Sequence, residues 1–190
     1  MHRSLYLVGG GYLLICGVVV LRHNARPNLA PRPPVVTTGF GSSAEQWFVV
    51  IKPSCNAVEV ELAQRGHPAP RSLAGQGYSA ACYALGGKLD SAGAVIDRLP
   101  ADQRYQAAGI VFDVAHPVAD AGDNRSAGPI MELVVHYWPN HYMALYHAGM
   151  AEYALGQRAL AQTHLKSFLA YYHQNDGWTQ SARAALAHLR

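Results

Sequence analysis

The residues of this chain that could do chemistry are chiefly its ten histidines. His136, His141 and His147 lie near one another, but none of their spacings is the three or four residues that places two metal ligands on one face of a helix. His116 begins an aspartate-rich segment at 116–126 that lacks the spacing of a calcium-binding EF-hand loop. We therefore predict no metal site and no cofactor. A metal- or ligand-binding domain that uses these histidines and segment 116–126 is an alternative.

Cysteine chemistry and catalysis are also poorly supported. The three cysteines form no C-x-x-C pair, which excludes the usual zinc and thioredoxin-type motifs. Cys55 and Cys82 lie in neighbouring predicted helices, where an exported domain would allow a disulfide, but we favour two buried free thiols. The sequence contains no nucleophile elbow, no phosphate-binding glycine loop after a strand and no paired-carboxylate pattern. We predict that the protein is not an enzyme.

Composition favours a helical domain without a nucleic-acid surface. Half of the residues are hydrophobic, alanine and leucine are common, and runs of β-branched residues are few. Four of the 15 basic residues lie before residue 35, which leaves 11 basic and 12 acidic residues, a net charge of −1, for the rest of the chain. Nucleic-acid binding requires a concentrated basic patch, and none is present.

Residues 138–172 predict two helices of similar length joined by a tight turn. Apolar residues recur every three or four positions in both halves, as on the buried face of a helix. Asn140 is the predicted N-cap of the first helix, and Gly156 ends it, because glycine adopts the left-handed conformation that follows many helix ends. Gly149 and Ala161 are small at positions where two antiparallel helices would touch.

This order of residues resembles the tetratricopeptide repeat (TPR), a helical hairpin of about 34 residues. The residues that carry the resemblance are Leu145, Gly149, Tyr153, Leu155, Gly156, Ala161 and Leu165. A second match lies at 77–100, where Gly87 corresponds to Gly156. The two glycines are 69 residues apart, which is close to two repeat lengths. A middle unit is therefore expected between them.

The middle unit matches the pattern less well. Its first helix is predicted at 106–116, with Gly109 in place of Gly149, and its second helix at 127–138. Gly109 and Ala127 are 18 positions apart, whereas the corresponding residues of the outer units are 12 positions apart. We therefore predict an inserted loop of six residues within 116–128.

These units predict an all-α fold, a TPR-like stack of antiparallel helical hairpins over residues 43–190. A degenerate hairpin with helices at 43–52 and 56–65, the second capped by Ser54, is expected to precede the repeats. A last helix at 179–189 would cover the open apolar face of the third unit. The resemblance implies that the first helices of the units line a concave surface that meets protein partners. The candidate partner-binding residues are Tyr105, Phe112, Tyr142, Tyr146 and His147.

The N-terminus predicts a membrane anchor. Residues 5–21 are uncharged and apolar, and a helix of this length spans about 26 Å, just short of a hydrocarbon core of about 30 Å. No small-x-small site follows at once, which argues against a cleaved signal peptide. We predict a retained transmembrane helix within residues 1–22 that packs on another membrane helix through Gly9, Gly10 and Gly17. A proline-rich, semi-stiff linker occupies residues 23–42.

Together these features predict a single-pass, membrane-anchored scaffold that mediates protein–protein interaction. We expect an accessory subunit of a larger membrane complex, of the respiratory or photosynthetic type, and an envelope assembly or secretion factor is the alternative. The arginines after the apolar segment favour a cytoplasmic domain. The short basic tail before it and the proline-rich spacer favour export instead. We expect a bacterial inner membrane with the domain on the periplasmic side.

Overall fold

The computed structural model describes residues 43–189, which fold into helices. Within this part of the chain there are nine α-helices, one short 3₁₀ turn at Lys52–Ser54 and no strand, which confirms the predicted all-α class. The helices are α1 Ser43–Ile51, α2 Val60–Gly66, α3 Leu73–Leu85, α4 Leu89–Asp97, α5 Ala101–Asp120, α6 Asn124–Tyr137, α7 Tyr142–Ala154, α8 Arg158–Tyr171 and α9 Gly177–His188. None of these helices is long and apolar enough to cross a membrane. The predicted anchor with Gly9, Gly10 and Gly17, and the linker, lie outside the described residues.

The helices pack in consecutive pairs. α3 packs on α4, α5 on α6, and α7 on α8, while α3 also packs on α5 and α6 on α7. Helices α1 and α2 cover α3 at one end, and α9 covers α7 and α8 at the other. The central core contains Ile96, Val111 and Met131, each at most 2 % exposed in the interior between the first two pairs. Leu165 and Phe168 form a second core under α9.

Three glycine turns join the helices within these pairs. Gly87, Gly122 and Gly156 have φ angles of 71°, 77° and 77°, a conformation that side chains with a Cβ atom rarely adopt. The N–H of the residue after each glycine donates to a carbonyl oxygen five residues earlier, at distances of 2.8–3.3 Å. This is the Schellman arrangement, which satisfies carbonyl groups left free at the helix end. The glycines lie 35 and 34 residues apart in the sequence.

The predicted six-residue loop within 116–128 is wrong. Helix α5 continues to Asp120 and α6 begins at Asn124, so only three residues separate them. Ala115, and not Gly109, lies seven residues before the turn glycine, as Gly149 does in α7, and Ala115 is 1 % exposed. Pro117 is tolerated near the end of α5 because the carbonyl oxygen that loses its N–H partner belongs to Asp113, which is exposed to water.

The irregular lengths of two helices explain this error. α5 has 20 residues where α3 and α7 have 13 each, and the extra residues extend its start. α4 has only nine residues where α6 and α8 have 14 each. The extra length of α5 compensates the short α4, so the spacing from Gly87 to Gly122 remains close to that from Gly122 to Gly156.

The first hairpin differs from the prediction at its second helix. This helix begins at Val60 and not at residue 56, because the Asn56 side-chain oxygen accepts the N–H groups of Val58 and Glu59 and holds a turn there. Cys55 forms a disulfide with Cys82 of α3, with their Cα atoms 4.8 Å apart. The two free thiols that we favoured are therefore wrong. The bond fixes the first hairpin to the first helical pair.

Two further helix starts, those of α7 and α9, are capped by side chains. His141, and not Asn140, caps α7, since its Nδ1 atom accepts the N–H of Ala144 at 3.2 Å. Asp176 caps α9, whose start at Gly177 is two residues before the predicted one.

Candidate functional site

Six aromatic rings form a continuous line of contacts on the described part of the chain. Their centroids are separated by 5.5, 4.6, 6.3, 4.9 and 6.0 Å in order along the line. These separations are typical of stacked and edge-to-face aromatic pairs. We call these residues the aromatic strip: Tyr105, Trp138, His141, Tyr142, Tyr172 and Trp178.

The strip lies where alternate helices begin and end. Tyr105, Tyr142 and Trp178 stand in the first turn or two of α5, α7 and α9. Trp138 and Tyr172 directly follow the last residues of α6 and α8. Starts of odd-numbered helices meet ends of even-numbered ones at a single edge when successive helices run antiparallel. The helical connectivity therefore brings together residues that are 73 positions apart.

The strip is both exposed and held in place. Tyr105, Tyr142 and Trp178 are 42 %, 41 % and 43 % exposed. Tyr172 is half-buried, and its hydroxyl group donates to the carboxylate of Asp176. This hydrogen bond raises the pKa of Tyr172 to about 12 and lowers the pKa of Asp176. Rings that are already ordered lose little conformational entropy when they bind a partner.

The residues that sequence analysis selected for partner binding do not all lie in the aromatic strip. Tyr105 and Tyr142 belong to the strip, and Tyr146 is half-buried beside it, 5.1 Å from Phe168 and 6.4 Å from Trp178 between ring centroids. Phe112 is only 7 % exposed and lies under the ring of His141, so it supports the strip and offers little surface of its own.

Sequence reasoning did not select four of the six strip residues as partner-binding candidates, namely Trp138, His141, Tyr172 and Trp178. Each aromatic residue lies next to a helix boundary, and this position was the available signal. Only an arrangement of helices in space shows that these boundaries share one edge.

His147, the remaining candidate, belongs to a separate cluster. The Oδ1 atom of Asp120 lies 3.5 Å from Nε2 of His116 and 3.6 Å from Nε2 of His147. Both nitrogen atoms are buried and have no hydrogen-bond partner. Burial, followed by the proximity of His116, lowers the pKa of His147 to about 4, so its ring is neutral at pH 7. An unpaired buried polar atom costs on the order of 1–3 kcal/mol.

A cleft of about 220 Å³ adjoins this cluster. Asp120 and His147 form one part of its wall, and Asn124, Tyr146 and Trp178 form other parts. The cleft lies between residues of α5, α6, α7 and α9, so a ligand bound there would touch several helices.

A third polar group joins α7 and α8. Glu152 is 1 % exposed, and both of its carboxylate oxygens lie within hydrogen-bonding distance of Nδ1 of His164, at 2.7 and 2.9 Å. The hydrogen bond with Glu152 raises the pKa of His164. The imidazole of His164 thus compensates the buried negative charge of Glu152 and holds α7 and α8 together.

Comparison with known proteins assigns no family to this chain. The sequence matches no protein-family model, and neither a curated protein nor a solved structure matches it.

Proposed function

We propose that this chain is a membrane-anchored, TPR-like scaffold that binds a protein partner through the aromatic strip. The observation that carries the proposal is the strip itself, with three large rings exposed by about two-fifths in one continuous line. Tyrosine and tryptophan are enriched at protein interfaces because they bury a large area and keep a polar group for hydrogen bonding. A strip of about six aromatic residues is of the size that supplies the energetic centre of an interface.

The glycine turns support the TPR-like part of the proposal. Their spacing of 35 and 34 residues agrees with the repeat length of about 34 residues. Buried small residues also recur in the same places, seven residues before each turn at Ala80, Ala115 and Gly149. Stacked hairpins of this kind share one continuous core and present long surfaces to partners.

The anchor and the location rest on two further observations. The apolar segment 5–21 has nearly the length that a membrane-spanning helix needs. Disulfides such as Cys55–Cys82 form and persist in oxidising compartments, which favours an exported domain on the periplasmic side of a bacterial inner membrane. An anchored domain with a partner-binding strip suits an accessory, non-enzymatic subunit of a larger membrane complex.

A matched pair of variants tests this function. Tyr142→Ser removes an exposed ring of the strip, whereas Tyr171→Ser removes a ring that is 53 % exposed on α8 outside it. Each tagged full-length chain would be purified from its own membrane in mild detergent, and the co-purifying proteins would be quantified by mass spectrometry.

We expect the wild type and Tyr171→Ser to retain the same partner and Tyr142→Ser to lose it. Loss of a central aromatic residue costs about 2 kcal/mol or more, which corresponds to a roughly 30-fold weaker complex. The proposal fails if the wild-type chain purifies alone as a monomer, or if both variants retain the partner equally.

A further inference from the structure

We propose that His116, Asp120 and His147 bind one divalent transition-metal ion of the Zn²⁺ type. One potential ligand atom from each residue lies within 4.8 Å of the other two. His116 and Asp120 are one helical turn apart on α5, and His147 approaches them from α7. None of the three ligand residues belongs to the aromatic strip, and Trp178 is the strip residue that lines the adjoining cleft.

The distances fit metal ligands better than hydrogen bonds. An N–H···O hydrogen bond has a nitrogen–oxygen distance of about 2.7–3.2 Å, and both Nε2–Oδ1 distances here, 3.5 and 3.6 Å, are longer. Ligand atoms bound at about 2.0–2.1 Å in a tetrahedral zinc site are about 3.3 Å from one another. Asp120 is therefore already close to the separation from each imidazole that a shared metal ion requires.

The two imidazole nitrogens need only a small movement. They are at most 4.8 Å apart, so they must approach each other by at most about 1.5 Å to reach tetrahedral separation. Histidine rings turn easily about the Cβ–Cγ bond, because this torsion has a broad energy minimum.

The burial of the nitrogens supplies an independent observation. The side chain of His147 is only 9 % exposed, and its Nε2 atom has no hydrogen-bond partner. Nε2 of His116 is buried and unpaired in the same way. Buried polar atoms are nearly always paired in folded proteins, and two unpaired nitrogens that face the same carboxylate oxygen suit the ligands of a cation.

The ligand types select the metal. Two imidazoles and one carboxylate suit zinc and similar first-row transition metals. Calcium and magnesium prefer oxygen ligands throughout and are disfavoured at this site. Three protein ligands leave one tetrahedral position, which water from the adjoining cleft of about 220 Å³ can occupy. Binding of the ion ties α5 to α7 across two helical pairs.

Metal titration of the full-length chain tests the site. The purified protein would be stripped with a chelator and titrated with Zn²⁺ by calorimetry, and with Co²⁺ by visible absorption, which reports coordination geometry. The variants are His116→Gln, Asp120→Asn and His147→Gln, which retain side-chain size and polarity. His136→Gln, at an exposed histidine of α6, is the matched control. Far-ultraviolet circular dichroism establishes that each metal-free variant is helical.

We expect one Zn²⁺ per chain, a tetrahedral Co²⁺ spectrum, and an increase in the melting temperature on addition of Zn²⁺. Changing a residue that only supports a metal ligand weakens metal binding by roughly 10- to 100-fold. Each site variant changes a ligand itself, so we expect it to weaken Zn²⁺ binding by more than this. The control should bind as the wild type does. The proposal is overturned if the wild type shows no saturable binding, or if any folded site variant binds zinc as tightly as the control.

Discussion

The close contact between α7 and α8 at Gly149 allows us to predict how much the substitution Gly149→Ala lowers the stability of the protein. A Cβ atom added at Gly149 would lie 2.7 Å from Cγ of Leu165 and 3.1 Å from its backbone nitrogen. Leu165 is fully buried, so its branched side chain has no free space to enter, and the backbone of α8 would have to move. Gly149→Ala therefore overpacks this contact.

The size of the effect follows from a matched substitution. Gly66→Ala, at the end of α2, places the same methyl group where no atom lies within 4 Å. Both changes gain helix propensity, by up to about 1 kcal/mol. Only Gly149→Ala incurs the overpacking cost of about 1–3 kcal/mol. We expect Gly149→Ala to be less stable than Gly66→Ala by roughly this amount.

Urea unfolding of the full-length chain, followed by circular dichroism at 222 nm, measures the difference. The same difference should appear as a melting temperature lower by about 2–4 °C for each kcal/mol. If the two variants unfold at the same urea concentration with the same slope, α7 and α8 do not meet at Gly149. This result would refute the close contact between the two helices of a pair that a TPR-like arrangement requires.

Three further predictions concern the paired groups. His164→Ala should lower the free energy of unfolding by about 3–5 kcal/mol, because it removes the cationic partner of the buried Glu152 carboxylate. His164→Gln, which keeps a hydrogen-bond donor, should lose less in the same urea assay. The pKa of His164 is raised from 6.5, so the stability that the charged histidine contributes is fully present below pH 6.5 and is lost as the pH rises through the raised pKa. The urea midpoint of the wild type, relative to that of His164→Gln, should therefore fall over this pH range. A constant difference between the two midpoints would contradict the pairing. Replacing Cys55 and Cys82 by serine opens a link between residues 27 positions apart and should cost about 3–4 kcal/mol, whereas equal stability of the variant and the wild type would show that the disulfide is not formed.

Local sequence signals located much of the fold. The two helices of the third pair were predicted well, because both carry long apolar periodicity and Gly156 marks the turn between them. The middle pair was misaligned because two small residues, Gly109 and Ala115, compete for one position. A glycine is a strong sequence signal, but the core selects the alanine, since only Ala115 faces it at the correct distance from Gly122.

The candidate sites were less predictable, because they depend on contacts between distant residues. His116 and Asp120 have the four-residue spacing of helical metal ligands, but we predicted that the helix ends at His116 and that Asp120 lies in a loop. The spacing therefore had no geometric meaning. His147 is 31 residues from His116, and only the packing of α7 near α5 brings the rings within 4.8 Å. The Cys55–Cys82 disulfide was considered but not favoured for a similar reason, because sequence alone does not show that two cysteines are close enough to bond.

Site-specific photo-crosslinking from position 142 tests the central claim most directly. A benzophenone side chain in place of Tyr142 would stand within the aromatic strip, and the same group in place of Tyr171 would stand at an exposed position outside it. Irradiation of membranes that contain the full-length chain should join position 142, and not position 171, to one other subunit of a membrane complex. Equal crosslinking from both positions, or none from position 142, would contradict a scaffold that binds its partner through the strip.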